Sequence, residues 1–140
     1  FPGAASSSDG TSLSGPYFLD FAKRAKEVTS IPIVLTGGLE TKDQAMNVLA
    51  DGSADAVSLA RAMVLNPSLP NAWMSEDGRD PEFPMFDAPP RGGVTAWYSM
   101  RLTALGENNE KQFDLSSANA LKAYEVRDKK RCKMWRKRFS

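Results

Sequence analysis

The sequence predicts an α/β fold built on a βαβ unit. Two short apolar runs rich in β-branched residues, Ile31–Thr36 and Ala54–Leu59, flank a Gly-Gly turn and a stretch with helical spacing. Apolar runs that are continuous rather than alternating are typical of parallel strands buried on both faces. Strand, helix and strand within about thirty residues make a βαβ unit, whose crossover is expected to be right-handed.

Taken in order, residues Phe1–Ser14 are rich in Ser, Gly and Ala and are expected to form a loop. Gly15-Pro16 opens a helix, with Pro16 suited to the first helical position because no N–H is needed there. Phe18, Phe21, Ala22 and Ala25 recur at helical spacing and predict its apolar face. This helix should end near Val28–Ser30, because Pro32 drives Ile31 towards extended backbone. Gly37-Gly38 stops the first strand. Thr41 and Gln44 have the spacing of a capping box, and Ala45, Val48 and Leu49 form the inner face of the helix that follows. Gly52 is its C-terminal stop. After the second strand comes Arg61, then a short helical stretch, Ala62–Leu65, closed by Asn66-Pro67. Met74–Gly93 holds four prolines and many acids, and is expected to be irregular. Val94, Trp97, Tyr98, Arg101, Leu102 and Leu105 then form a helical stripe ended by Gly106, and a last helix runs from Ser116. Two regions result: 1–73, carrying the βα units, and 74–140, an irregular segment with a helical extension.

Composition limits the chemistry. The 140 residues are 41% hydrophobic and 25% charged, the balance of a globular protein. No apolar run approaches the roughly 20 residues of a membrane span, and no basic-then-apolar leader is visible, so a cytoplasmic location is expected. There is no histidine. That removes a histidine general base, a Ser-His-Asp triad and imidazole metal ligands from this chain. The single Cys132 excludes an internal disulfide and a cysteine-based zinc site. Net charge is +1, but from Lys122 onward nine Lys/Arg face two Asp/Glu, so an acidic body precedes a basic tail.

The residues that can carry binding chemistry follow the strands. Glycines at 37 and 38 allow close approach of backbone to a ligand, and N–H groups at a helix start favour an anion. Ala60 and Arg61 open a second such turn, where a guanidinium suits phosphate. In a (β/α)₈ barrel the loops after the last two strands commonly build a phosphate site. Gly37-Gly38 also serves as a plain tight turn and Arg61 as a surface cation; the local pattern leaves both readings open. Trp97 and Tyr98 suit core packing better than a ligand edge. Asp51 and Asp55 are expected to be solvent-facing caps, and Cys132, though set among cations, has no base or resolving cysteine nearby.

Ile31-Pro-Ile-Val-Leu-Thr-Gly-Gly38, Ala45, Ala54-Asp-Ala-Val-Ser-Leu-Ala-Arg61, Asn66-Pro67 and Leu69-Pro70 together resemble the C-terminal part of the old yellow enzyme family, the NADH:flavin oxidoreductases and ene-reductases. Gly92-Gly93-Val-Thr-Ala-Trp97-Tyr98 is similar to that family's C-terminal extension. The resemblance implies the C-terminal part of a TIM barrel, its last two strands, plus a helical extension. It implies FMN as cofactor, with the phosphate held by Gly37, Gly38, Ala60 and Arg61, and NADH or NADPH as hydride donor to a small-molecule acceptor. The family often has Gly where this chain has Ala60, a change that keeps the backbone donor. Some relatives carry a basic residue where this chain has Leu39-Glu40, so Glu40 is expected to face solvent. The family's ring-binding and proton-donating residues lie on earlier strands and have no counterpart here, so this chain alone is expected to be inactive. A homo-oligomer is compatible with the reading, while nucleic acid is not expected as a partner. Two alternatives stand beside it: another phosphate-ligand barrel enzyme, and a non-catalytic binding module acting through the basic terminal helix.

Overall fold

The computed structural model describes residues 15–76 and 78–139, so the loop expected over Phe1–Ser14 lies outside the described residues. These residues divide after Pro84 into two compact units.

The first unit is the βαβ region. Helix α1 spans Leu19–Val28, strand β1 Val34–Thr36, helix α2 Lys42–Ala50 and strand β2 Ala56–Ser58; the short helices α3, Arg61–Leu65, and α4, Leu69–Met74, follow. The strands pair in parallel, with Val34 opposite Ala56, Leu35 opposite Val57 and Thr36 opposite Ser58. Helix α2 starts as its sequence dictates. The Thr41 hydroxyl accepts from the Gln44 N–H at 3.2 Å, and Gln44 Oε1 accepts from the Thr41 and Glu40 N–H groups. That satisfies three donors that a helix start would otherwise leave bare. Gly52 ends α2 with a left-handed φ of +70°. Ala22 of α1, Leu35 of β1, Val48 of α2, Leu39 and Ala54 form the core, with Leu19, Ile33, Val57 and Leu59 packed around it.

Four local expectations need correction. Helix α1 begins three residues after Pro16, which instead lies in the preceding turn and accepts from the Leu19 N–H at 3.3 Å. Within α1 the stripe is centred on Ala22 with Leu19 beside it, while Phe21 is 64% exposed, because the packed face turns towards Leu19 rather than Phe21. Both strands are three residues long, and only one face of the sheet is covered. Leu35 is 2% exposed but its neighbour Val34 is 60% exposed, since α1 and α2 both pack on the Leu35 side. Finally, the segment expected to be irregular from Met74 loses that residue to α4, whose Pro70 sits in the first turn, where a missing N–H costs nothing.

Asp55 turns out to be a clasp rather than a helix cap. Its carboxylate accepts from Lys26 Nζ at 2.6 Å and from the Ile33 N–H at 2.7 Å, tying α1 and the entry to β1 onto the start of β2. The Lys26 ammonium, and after it the Ile33 N–H, hold this carboxyl below its ordinary value of 3.8. A folded pKa below the unfolded one means that the ionised form favours the fold. The contribution is fully present above the unfolded value and is lost as pH falls through the lower folded value. Asp55→Asn should therefore remove part of the loss of stability seen below about pH 4 in urea denaturation. An acid limb identical to that of the parent would contradict the clasp.

The second unit contains α5, Gly93–Gly106, a 3₁₀ turn at Glu110–Gln112 and the long helix α6, Ser117–Phe139. The connector after α5 doubles back along it. The Trp97 Nε1–H donates to the Leu115 carbonyl at 2.8 Å, and the Phe86, Tyr98 and Phe113 rings meet Trp97 edge-on at 5.1–5.4 Å. Trp97 and Tyr98 are thus packing residues of this unit. Helix α6 sets out beside the start of α5, its Ser117 carbonyl 3.3 Å from where a Cβ on Gly93 would stand. Further along, Arg127 donates to Thr103 Oγ1 at 2.7 Å and lies 4.7 Å over the Tyr124 ring. No helix among the described residues is long and apolar enough to cross a membrane.

Candidate phosphate site at the strand ends

Register decides which turns meet. With Thr36 opposite Ser58, the turn that starts at Gly37 and the one that reaches Arg61 leave the same edge of the sheet side by side. Thr36 Oγ1 donates to the Ser58 carbonyl at 3.2 Å, which pins the two strand ends together. Gly37 and Gly38 both take left-handed backbone, with φ of +94° and +72°, a region that non-glycine residues enter only at a cost. Ala60 is the N-cap of α3 and Arg61 its first residue. No side chain caps those first N–H groups, and no acid lies in the first turn.

All four sequence-derived positions therefore lie at one end of the sheet, and the fold links them through a residue the sequence did not single out. The Tyr17 ring packs against Gly37, 3.0 Å from where a Cβ would stand, and its hydroxyl accepts from Arg61 Nη2 at 3.4 Å. Only a tertiary contact reveals this role; the nearest local signal is an aromatic hydroxyl placed directly after Gly15-Pro16. Gly38 has a further explanation as well. A Cβ there would stand 1.9 Å from the Gly15 carbonyl oxygen, so the fold requires glycine at this position whether or not an anion binds. Glu40 is exposed and its N–H is taken by Gln44, in line with a solvent-facing carboxylate.

The donor set suits a phosphate dianion. It combines a guanidinium, uncapped N–H groups at a helix start and backbone from a glycine turn, with the nearest acid in sequence exposed. It offers no group able to take up a proton at neutral pH, so its chemistry is binding rather than proton transfer.

The chain is 45% identical over 56 residues to the NADH-dependent flavin oxidoreductase iliE of Neonectria sp. (strain DH2), covering 39% of this chain and 7% of that protein. It is 35% identical over 74 residues to the protein of the same name from Hypocrea jecorina (strain QM6a), covering 52% of this chain and 18% of that protein. A metal reductase of Desulforamulus reducens is 38% identical over 50 residues, 36% of this chain and 8% of its own. The matched segments thus span less than a fifth of each relative. No family model matches the chain, and no solved structure does. At this level the chain is similar to part of the NADH-dependent flavin oxidoreductases.

Proposed function

We propose that this chain is the closing portion of a (β/α)₈ barrel in an FMN-dependent NAD(P)H oxidoreductase, in which β1 and β2 are the seventh and eighth strands. The observation that carries the reading is the pairing of the Gly37-Gly38 turn with the Ala60-Arg61 turn at the same end of a parallel sheet. The uncovered face of that sheet supports it too. Val34, Thr36, Ala56 and Ser58 are exposed, as lumen-facing residues of an incomplete barrel would be.

In this reading Arg61 and the backbone N–H groups of Gly37, Gly38 and Ala60 hold the FMN phosphate. Tyr17 packs beneath Gly37 and steadies the guanidinium. Bound flavin supplies the hydride chemistry between NADH or NADPH and a small-molecule acceptor. This chain contributes position: it anchors the cofactor's charged end so that the remainder of the barrel can place the ring.

The test compares two proteins. The full-length protein should bind FMN and oxidise NADH or NADPH. The 140-residue chain purified alone should show no turnover with added FMN, because two strands cannot close an eight-stranded barrel. Robust turnover by the chain alone would refute its role as a closing portion.

A further inference from the structure

We propose that the outer part of α6, Lys129–Phe139, is a docking surface for an anionic lipid bilayer. The proposal stands apart from the flavin reading, which makes no use of this segment. Seven of its eleven residues are Lys or Arg and none is acidic, and every one of them is exposed. It continues the 23-residue α6, whose earlier turns are held to α5 by Arg127, and helices ordinarily draw most of their stability from packing an apolar face. Here nothing among the described residues covers that face.

The arrangement around the helix says what kind of surface fits. At about 100° per residue, Trp135, Phe139 and Cys132 share a sector roughly 60° wide. The Trp135 and Phe139 rings stand 4.2 Å apart between centroids and form one apolar wedge. Arg131 and Arg138 flank the wedge on one side, and Arg136 and Lys129 on the other; Arg138 already lies 5.6 Å over the Phe139 ring. Lys130, Lys133 and Lys137 lie further round. An aromatic strip bracketed by long cationic side chains is the pattern of an interfacial helix. The rings enter the boundary between headgroups and acyl chains, and the cations extend to lipid phosphates. A nucleic acid held by the lysine face would leave the aromatic wedge in water. A bilayer surface engages wedge and cations together, which favours lipid.

The experiment is flotation of the whole chain with phosphatidylcholine vesicles that contain or lack phosphatidylserine, at ~0.1 M salt. Binding should be at least roughly tenfold stronger with the anionic lipid and should weaken as salt rises, since each Lys or Arg near such a surface contributes about fivefold. The double replacement Trp135→Ser with Phe139→Ser should lower binding by roughly tenfold or more, with circular dichroism confirming the parent helix content. Replacing Lys133, Arg136 and Lys137 by Gln should do likewise. Equal binding to both vesicle types would overturn the proposal. So would binding indifferent to the aromatic replacements; if duplex DNA or RNA then binds at the same salt, the partner is nucleic acid. A self-association lost in the aromatic double variant, without vesicle binding, would assign the wedge to a second copy of the chain.

Discussion

Replacing Arg61 with alanine in the full-length protein should weaken FMN binding by roughly ten- to a hundredfold. The figure follows from losing a charge-assisted hydrogen bond, about 1.5–3 kcal/mol, at ~1.4 kcal/mol per tenfold in affinity. Arg61 also donates to the Tyr17 hydroxyl at 3.4 Å, so a control must separate a phosphate contact from a structural one. Riboflavin supplies the control, because it carries the same ring without the phosphate. If Arg61 grips the phosphate, riboflavin affinity should stay as in the parent while FMN affinity falls. Arg61→Lys keeps the charge but loses the planar fork, and should fall between the two. Flavin fluorescence titration reads all of these. Unchanged FMN affinity in Arg61→Ala would remove Arg61 from the site. An equal loss for both flavins would mean that the substitution damaged the fold rather than a phosphate contact.

Signals for the βαβ unit were local, which is why they could be read. Thr41 and Gln44 cap α2 through a four-residue pattern, and Gly52 stops it through a backbone preference. Such features act over one turn of chain and do not depend on what packs nearby. The Gly37-Gly38 and Ala60-Arg61 turns belong to the same group, since each sits directly after an apolar run. Their adjacency required one added inference, that the strands run parallel, and the register bears this out.

Features that depend on a partner were not legible. The run Ile31–Thr36 has the composition of a strand covered on both sides, yet Val34 is open because both helices pack on the opposite face. Composition records the environment a strand is suited to, and among the described residues only one face of the sheet is covered. Phe21 fits the same account: an apolar side chain at a helical position, exposed where no neighbouring element reaches it. Tyr17 escaped notice for the reverse reason. Its contacts, with Gly37 and with Arg61 forty-four residues away, exist only once α1 has docked beside the strand ends. Asp55 is exposed, as expected, but its role as a clasp was hidden because its partners, Lys26 and the Ile33 N–H, come from elements earlier in the chain.

Gly38→Ala should destabilise the first unit by more than about 3 kcal/mol, a large part of the 5–15 kcal/mol that typically separates folded from unfolded protein. Two effects combine. Left-handed backbone at φ +72° costs a residue with a Cβ about 1–2 kcal/mol. The added carbon would also stand 1.9 Å from the Gly15 carbonyl oxygen and 2.7 Å from its carbon. Both are backbone atoms, so no rotamer change relieves the contact, and the Gly15–Tyr17 segment must move. Two other glycines calibrate the result. Gly52→Ala meets nothing within 4 Å and should show only the left-handed cost. Gly37→Ala meets the Tyr17 ring at 3.0 Å, a side chain that can swing aside, and should lie between them. Urea denaturation of the three variants should therefore rank them Gly52, Gly37, Gly38 in rising cost. The same order should not hold for cofactor affinity. Displacing Tyr17 disturbs both the glycine turn and the Arg61 guanidinium, so Gly37→Ala and Gly38→Ala should both weaken FMN binding, while Gly52→Ala, at the end of α2, should leave it unchanged. Equal stability losses at all three positions would show that the close approach of Gly15 to Gly38 does not exist in solution, and with it the support that places Tyr17 beneath the site.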